Sequence, residues 1–129
     1  MEGVPELLLI DKPHGITSFD VIRRLRRILG VKKMGHAGTL DPLATGLMLI
    51  GIGPGTKTLA TLVKLDKEYL AEVRIGESRT TGDLEGDVLE ERAVVQLEQK
   101  AVEAVLASMV GTLTPVSYTH LTLPTICSV

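Results

Sequence analysis

The stretch of this sequence that most restricts its fold is a glycine-rich segment with one carboxylate, Gly35-His36-Ala37-Gly38-Thr39-Leu40-Asp41-Pro42-Leu43-Ala44-Thr45-Gly46. Glycine loses more conformational entropy on folding than any other residue, and small residues bury little apolar surface in return. Glycines at this density indicate positive backbone φ angles or a close approach of the backbone to another group. The rest of the fold must therefore support a costly loop whose single acid is Asp41.

Composition places the chain among ordinary globular proteins. Its 129 residues suit one small domain, with 44% apolar, 23% charged and only 2% aromatic residues, so the core is expected to be aliphatic. No apolar run approaches the roughly 20 residues of a membrane span, and no secretory signal precedes the first motif. The single cysteine, Cys127, excludes a disulfide framework. These features predict a cytoplasmic protein without a membrane segment.

Apolar runs alternate with amphipathic segments, which predicts an α/β (α+β) fold with a mixed sheet and flanking helices. Thr17 and Asp20 have capping-box spacing and Gly30 has the place of a helix-ending glycine, which predicts a helix at 18–29. Its inward face is expected to carry Val21, Ile22, Leu25, Ile28 and Leu29. The other elements are expected as strands at 7–10, 47–52, 67–76 and 88–89 and as helices at 56–65 and 97–110, the last ended by Gly111.

The end of the chain differs sharply from the rest. Residues 116–129 contain no charged residue. Their first ten, Val-Ser-Tyr-Thr-His-Leu-Thr-Leu-Pro-Thr, resemble the translation of a transposon-type sequencing adapter. We therefore expect 116–129 to be a non-native tail and 1–115 to be the natural domain. A genuine C-terminal strand is the alternative.

Positive charge is concentrated in one short segment, although the net charge of the chain is −2. The segment carries Arg23, Arg24, Arg26, Arg27, Lys32 and Lys33. Such a segment is either the solvated face of an amphipathic helix or a surface that contacts a phosphate backbone, because nucleic acid responds to local charge. Aromatic residues are too few for a single-strand stacking platform.

Several residues have both a structural and a chemical interpretation. An aspartate before proline is typical of turns, so Asp41 is a turn residue or a catalytic acid. His14 and His36 are loop polar residues or catalytic ones, and Tyr69 is a core residue of its predicted strand or a functional one. The spacing shows neither a metal-ligand cluster nor a Ser-His-Asp triad. The segment 51–58 resembles a phosphate-binding loop weakly, because Thr56 stands where that motif requires glycine.

Four motifs follow one another between residues 7 and 86. They are Leu9-Ile10-Asp11-Lys12-Pro13-x-Gly15-x-Thr17-Ser18, Gly35-His36-x-Gly38-Thr39-Leu40-Asp41-Pro42-x-Ala44-x-Gly46, Lys67-x-Tyr69 and Thr80-Thr81-Gly82-Asp83-x-x-Gly86. In content and order they resemble the TruB family of tRNA pseudouridine synthases. The resemblance covers residues 3–115 and implies the N-terminal part of that family's catalytic fold.

The resemblance implies an RNA-modifying isomerase that converts a T-loop uridine of tRNA into pseudouridine. Asp41 matches the family's nucleophile, which attacks the ribose or the ring, and the base flips out to reach a buried carboxylate. His36 matches a histidine beside the flipped nucleotide, and Tyr69 a tyrosine that stacks on the base. Lys12 and Pro13 match a motif that supports the active-site loop.

The same resemblance implies the ligands of the site. The expected substrate-binding residues are His36, Tyr69, Lys12, Gly38 and Thr39, and the candidate phosphate contacts are Arg23, Arg24, Lys32 and Lys33. The expected partner is the T-arm of tRNA. No cofactor and no metal are expected, and for the stand-alone bacterial form no protein partner is expected.

The family continues beyond the matched part with further strands, with an arginine that pairs with the nucleophile, and often with a small RNA-binding domain. The fragment alone is therefore expected to be inactive, and its strands are expected to leave bare edges. A non-catalytic RNA-binding module that uses the basic helix is the alternative.

Overall fold

A computed structural model describes residues 3–114 of the chain. The chain divides into two compact units, Met1–Asp66 and Lys67–Val129. The predicted non-native tail, 116–129, lies outside the described residues. Within residues 3–114, no helix is both long and apolar enough to cross a membrane.

The first unit is built on a three-stranded antiparallel sheet in the order β1-β3-β2. Its elements are β1 (Leu7–Lys12), α1 (Ser18–Leu29), β2 (Met34–Ala37), β3 (Gly46–Ile52), a 3-10 helix (Gly53–Thr58) and α2 (Leu59–Leu62). The α/β class is thus confirmed. In place of the expected mixed sheet, the strands of residues 3–114 pair only in antiparallel fashion.

The strand β2 was not predicted, because its sequence, Met-Gly-His-Ala, lacks the β-branched alternation of a strand. Its ladder comes from the central strand β3, whose Ile52 stands opposite Met34. The helix expected at 56–65 is also shorter in the structure: a 3-10 helix covers its start, and the α-helix spans only Leu59–Leu62.

The sheet register decides where the glycine-rich loop lies. Lys12, at the end of β1, stands opposite Gly46, at the start of β3, and Ala37, at the end of β2, stands opposite Leu49, three residues further along β3. The segment that follows β1 and the loop 38–45 therefore leave the sheet at the same end of its strands. The helix α1 also begins there, at Ser18.

The bounds of α1 agree with the prediction, and local hydrogen bonds explain them. The Thr17 hydroxyl accepts from the Asp20 N–H at 3.0 Å, and the Asp20 carboxylate accepts from the Thr17 N–H at 3.0 Å. Gly30 ends the helix in the left-handed conformation, with φ of 68°. The prediction that Ile28 faces inward is wrong. Its side chain is 75% exposed, because it lies at the border of the buried face in the last turn of α1.

The hydrophobic core lies between α1 and one face of the sheet. Its buried members are aliphatic, as expected, and are Val21, Ile22, Val31, Met34, Met48, Ile50 and Ile52. Leu40, from the glycine-rich loop, packs against this cluster. The packing of Leu40 therefore helps to hold the loop next to Asp41.

The second unit contains a two-stranded antiparallel sheet and one helix. Its elements are β4 (Glu77–Arg79), β5 (Val88–Glu91) and α3 (Gln99–Ser108). The helix was expected at 97–110; it is capped by Met109, and Gly111, with φ of 136°, lies two residues beyond that cap.

The strand predicted at 67–76 is wrong, because residues 67–75 form neither helix nor strand. The inward face expected for it is exposed in the structure, with Val73 at 71% and Ile75 at 54%. An alternating sequence becomes a strand only when another strand completes its hydrogen bonds, and residues 3–114 supply none to this segment.

Candidate active site

Asp41, the only acid of the glycine-rich loop, has a hydrogen-bonded backbone and an exposed side chain. The Asp41 carbonyl accepts from the Ala44 N–H at 2.9 Å, which closes a tight turn through Pro42. The carboxylate is exposed, so the expectation of a buried carboxylate is wrong for this structure. Within residues 3–114 it forms no ion pair.

On one side of Asp41, the backbone is anchored through Pro42. Its carbonyl accepts from the Gly15 N–H at 2.7 Å and from the Lys12 ammonium at 3.2 Å. Lys12 is fully buried and also donates to the carbonyls of Pro13, at 2.9 Å, and Ile16, at 2.7 Å. All three ammonium protons thus have protein acceptors. Lys12 supports the loop in this geometry, and its contact with a substrate stays a prediction.

On the other side of Asp41, the backbone is anchored through Leu40. The Ser18 hydroxyl accepts from the Leu40 N–H at 2.9 Å and donates to the Leu40 carbonyl at 3.0 Å. Sequence reasoning gave Ser18 no functional role, although Ser18 ends the first of the four motifs and begins the predicted helix. The contact joins residues 22 positions apart and becomes visible only in the folded chain.

The candidate residue His36 lies on β2, opposite Ile50, and is partly buried. Its Nδ1 lies 2.6 Å from the carbonyl oxygen of Gly38. Since a carbonyl oxygen only accepts hydrogen bonds, Nδ1 carries the proton. In the neutral imidazole this assignment leaves Nε2 as a hydrogen-bond acceptor.

The candidate residues Gly38 and Thr39 complete the approach to Asp41. Gly38 has φ of +86°, and a Cβ atom added there would have no neighbour within 4 Å. Glycine is thus required by the backbone conformation, not by crowding. Thr39 is exposed. The space above Gly38 is open, as expected of a loop that a nucleotide approaches, and the binding roles of both residues stay predictions.

The candidate residue Tyr69 belongs to the second unit. Its backbone is in neither a helix nor a strand, and its ring is 51% exposed. The interpretation of Tyr69 as a core side chain is therefore wrong for this structure. Its stacking on a base stays a prediction.

The candidate phosphate contacts lie on the outer face of α1 and just beyond it. Arg23, Arg24, Lys32 and Lys33 are all exposed. Arg23 forms an ion pair with Asp20 and lies over the ring of Phe19, 5.4 Å from its centroid.

One basic residue of the same helix has a structural position instead. The Arg26 guanidinium donates to the Met34 carbonyl at 3.2 Å, which ties α1 to β2. Its Nε atom is buried and has no hydrogen-bond partner. Arg26 is thus partly withdrawn from the exposed basic surface.

The segment 51–58 has a structural role and does not form a phosphate-binding loop. A Cβ atom on Gly51 would lie 2.8 Å from the Gly55 carbonyl oxygen, so the glycine is needed for close packing. The hydroxyls of Thr56 and Thr58 donate to backbone carbonyls within the 3-10 helix, each at 2.8 Å. Nothing in this geometry favours nucleotide binding. In the part of the chain that the structure describes, no group of three or more His, Cys, Asp or Glu side chains could hold a metal ion.

The first unit is thus an antiparallel sheet that packs against α1. A loop at one end of this sheet carries the exposed Asp41, and hydrogen bonds hold the residues on both sides of it. Residues 26–120 match the model of the "TruB family pseudouridylate synthase (N terminal domain)". This match covers most of the chain. The chain therefore belongs to the TruB family of pseudouridylate synthases.

Curated relatives agree with this membership. Proteins named tRNA pseudouridine synthase B from Arthrobacter sp. (strain FB24) and Thermobifida fusca (strain YX) are each 44% identical over 105 residues, or 81% of this chain. The match covers 34% and 36% of those relatives, respectively. The relative from Corynebacterium glutamicum (strain R) is 44% identical over 107 residues and covered to 36%. The chain thus spans about a third of the length of the curated relatives it matches.

Among solved structures, one similar chain comes from the "Structure of H/ACA RNP bound to a substrate RNA containing 2'-deoxyuridine". It is 36% identical, with a TM-score of 0.42 over 43% of this chain and 18% of that chain.

Proposed function

We propose that this chain is the N-terminal part of a cytoplasmic tRNA pseudouridine synthase that isomerises a T-loop uridine. Family membership and the names of the curated relatives support this proposal. The observation that carries it is the geometry around Asp41. Both residues that flank this aspartate are hydrogen-bonded to the segment 12–18, whereas its carboxylate faces solvent. A nucleophile presented in this way is accessible and restricted in position.

The proposed reaction moves the bond between base and ribose from nitrogen to carbon. The bond from C1′ to N1 breaks, the uracil turns, and C1′ bonds to C5, which then releases its proton. Asp41 is ionised when it attacks, either at C1′ or at C6 of the ring, and it is regenerated at the end. The balance requires neither an oxidant nor a group donor.

The neighbouring residues would position the flipped nucleotide. The Nε2 atom of His36 offers an acceptor to a ribose hydroxyl or a base N–H, because Nδ1 is engaged with Gly38. The open space above Gly38 leaves room for the nucleotide next to Asp41. The exposed cations Arg23, Arg24, Lys32 and Lys33 would contact phosphates of the T-arm.

The test of the nucleophile uses the full-length protein of which this chain is proposed to be a part. Asp41→Asn is expected to abolish tritium release from tRNA labelled at C5 of uridine, because an amide does not attack as a carboxylate does. Filter binding of the same tRNA is expected to change less than threefold. The matched control, Asp66→Asn, removes another exposed carboxylate and should retain full turnover.

Three outcomes would contradict parts of this proposal. Turnover by Asp41→Asn at the wild-type rate would remove Asp41 from the nucleophile role. An inactive wild-type protein that binds RNA in a salt-sensitive way, independently of Asp41, would favour the alternative of a non-catalytic RNA-binding module. We also propose that the 129-residue chain alone is inactive, and rapid tritium release by it would disprove this.

A further inference from the structure

One buried hydroxyl satisfies both backbone polar groups of the residue that precedes Asp41. The Leu40 N–H donates to the Oγ of Ser18 at 2.9 Å, and the same hydroxyl donates to the Leu40 carbonyl at 3.0 Å. Ser18 is only 3% exposed, so water does not replace these bonds. A serine hydroxyl has one donor and two acceptor lone pairs, and this arrangement uses the donor and one of the lone pairs.

The position of Ser18 makes this contact rigid. It is the first residue of α1, directly after the Thr17 cap, and the helix packs into the core through Val21 and Ile22. Leu40 also packs against that core. The loop backbone before Asp41 is thus tied to a helix that is itself held by capping and by apolar packing.

The contact matters because Asp41 has anchors on both sides. Leu40 is held by Ser18, and the Pro42 carbonyl is held by Gly15 and Lys12. Without the Ser18 hydroxyl, the side after Asp41 keeps its hydrogen bonds, whereas the side before it is held only by the packing of the Leu40 side chain. The expected result is a carboxylate that is present but less accurately placed.

We propose that Ser18 is a positioning residue for Asp41, which fixes the attacking carboxylate through the backbone of Leu40 without touching the substrate. This inference rests on the proposed function. It predicts that the main loss is in kcat and that KM changes less, because Ser18 is buried and does not itself contact RNA, and the exposed cations expected to contact phosphates lie outside the loop. A misplacement of about 1 Å costs on the order of 100-fold in rate, so Ser18→Ala is expected to lower kcat by about 10- to 100-fold.

The variants separate the hydroxyl from the shape of the side chain. Ser18→Thr keeps the hydroxyl, Ser18→Cys keeps the size with a weaker donor and acceptor, and Ser18→Ala keeps neither. The expected order of kcat in the full-length protein is serine, threonine, cysteine and then alanine. The control Ser108→Ala removes an exposed hydroxyl that bonds within α3 and should leave kcat unchanged.

A second measurement tests the contact without activity. In the 129-residue chain, Ser18→Ala and Ser18→Cys are expected to speed hydrogen exchange of the Leu40 amide at least tenfold, while the amides of α1 keep their rates. If one variant does not fold, the other still reports on the same amide. Exchange of Leu40 at the wild-type rate in a folded variant overturns the inference.

The outcomes distinguish this inference from the proposed function. An active wild-type enzyme with unchanged kcat in Ser18→Ala and Ser18→Cys overturns the role of Ser18 alone. An inactive wild-type enzyme overturns the proposed function, and the exchange of the Leu40 amide then still decides whether Ser18 holds the loop.

Discussion

Lys12 carries its ammonium group into a position without solvent exposure, where three backbone carbonyls surround it. Lys12→Met keeps most of the apolar stem but leaves the carbonyls of Pro13 and Ile16 without this donor. A hydrogen bond to a charged group contributes about 1.5–3 kcal/mol. Because Pro13 is exposed and both bonds are only partly buried, water replaces part of this contribution, and we expect the free energy of unfolding to fall by about 2 kcal/mol. Urea denaturation of the 129-residue chain measures this change.

The control for this residue is Lys32→Met, which makes the same chemical change at an exposed position. Surface substitutions of this kind change stability by about 0.5 kcal/mol or less. Equal effects of the two variants would show that the hydrogen bonds of the Lys12 ammonium do not stabilise the loop.

At the scale of an element, α1 depends on the reciprocal bonds between Thr17 and Asp20. The pKa of the Asp20 carboxyl is lowered from 3.8 to about 2, mainly by the Thr17 N–H, and further by the Arg23 guanidinium and the Thr17 hydroxyl. A carboxyl with a lower pKa in the folded state stabilises that state above its unfolded pKa. This contribution is lost as the pH falls from about 4 to about 2.

Asp20→Asn is therefore expected to weaken the dependence of stability on pH in the acid range. The wild type should lose more stability than the variant between pH 5 and pH 2, measured by thermal unfolding at each pH. Thr17→Ala provides the comparison, because it removes a cap hydroxyl and lowers stability by about 1 kcal/mol at neutral pH. The same dependence on pH for the wild type and Asp20→Asn would contradict the assignment.

At the scale of the whole molecule, the two units differ in how much apolar surface they bury. All seven buried apolar side chains of residues 3–114 belong to the first unit, and Ile50, on the central strand, has 0% exposure. In α3, Val105 and Leu106 are each more than half exposed. Burial of apolar area is the main source of stability, so local opening is expected to be easier in the second unit.

Hydrogen exchange of the 129-residue chain tests this difference. The amides of β3 and α1 are expected to exchange at least 100-fold more slowly than those of α3. Ile50→Ala should lower the free energy of unfolding by about 3 kcal/mol, whereas Val105→Ala should lower it by less than about 1 kcal/mol. Equal protection in α3 and β3 would contradict the expected difference in stability between the two units.

The sequence by itself determined the features that depend on near neighbours. The bounds of α1 follow from a capping box formed by Thr17 and Asp20, three positions apart, and from a glycine at position 30, and they agree with the prediction. The apolar runs of β1 and β3 were also identified, as was the family, because the block around Asp41 is a contiguous pattern.

The tertiary structure alone decided the features that depend on distant partners. The short strand β2 forms because β3 completes its ladder, and the alternating segment 67–75 stays irregular because no strand among residues 3–114 pairs with it. The anchors of Asp41 join residues 22 and 30 positions apart. Local propensity carries no information about such contacts. They form only because the register of the sheet brings the segment 12–18 and the loop 38–45 to the same end of its strands.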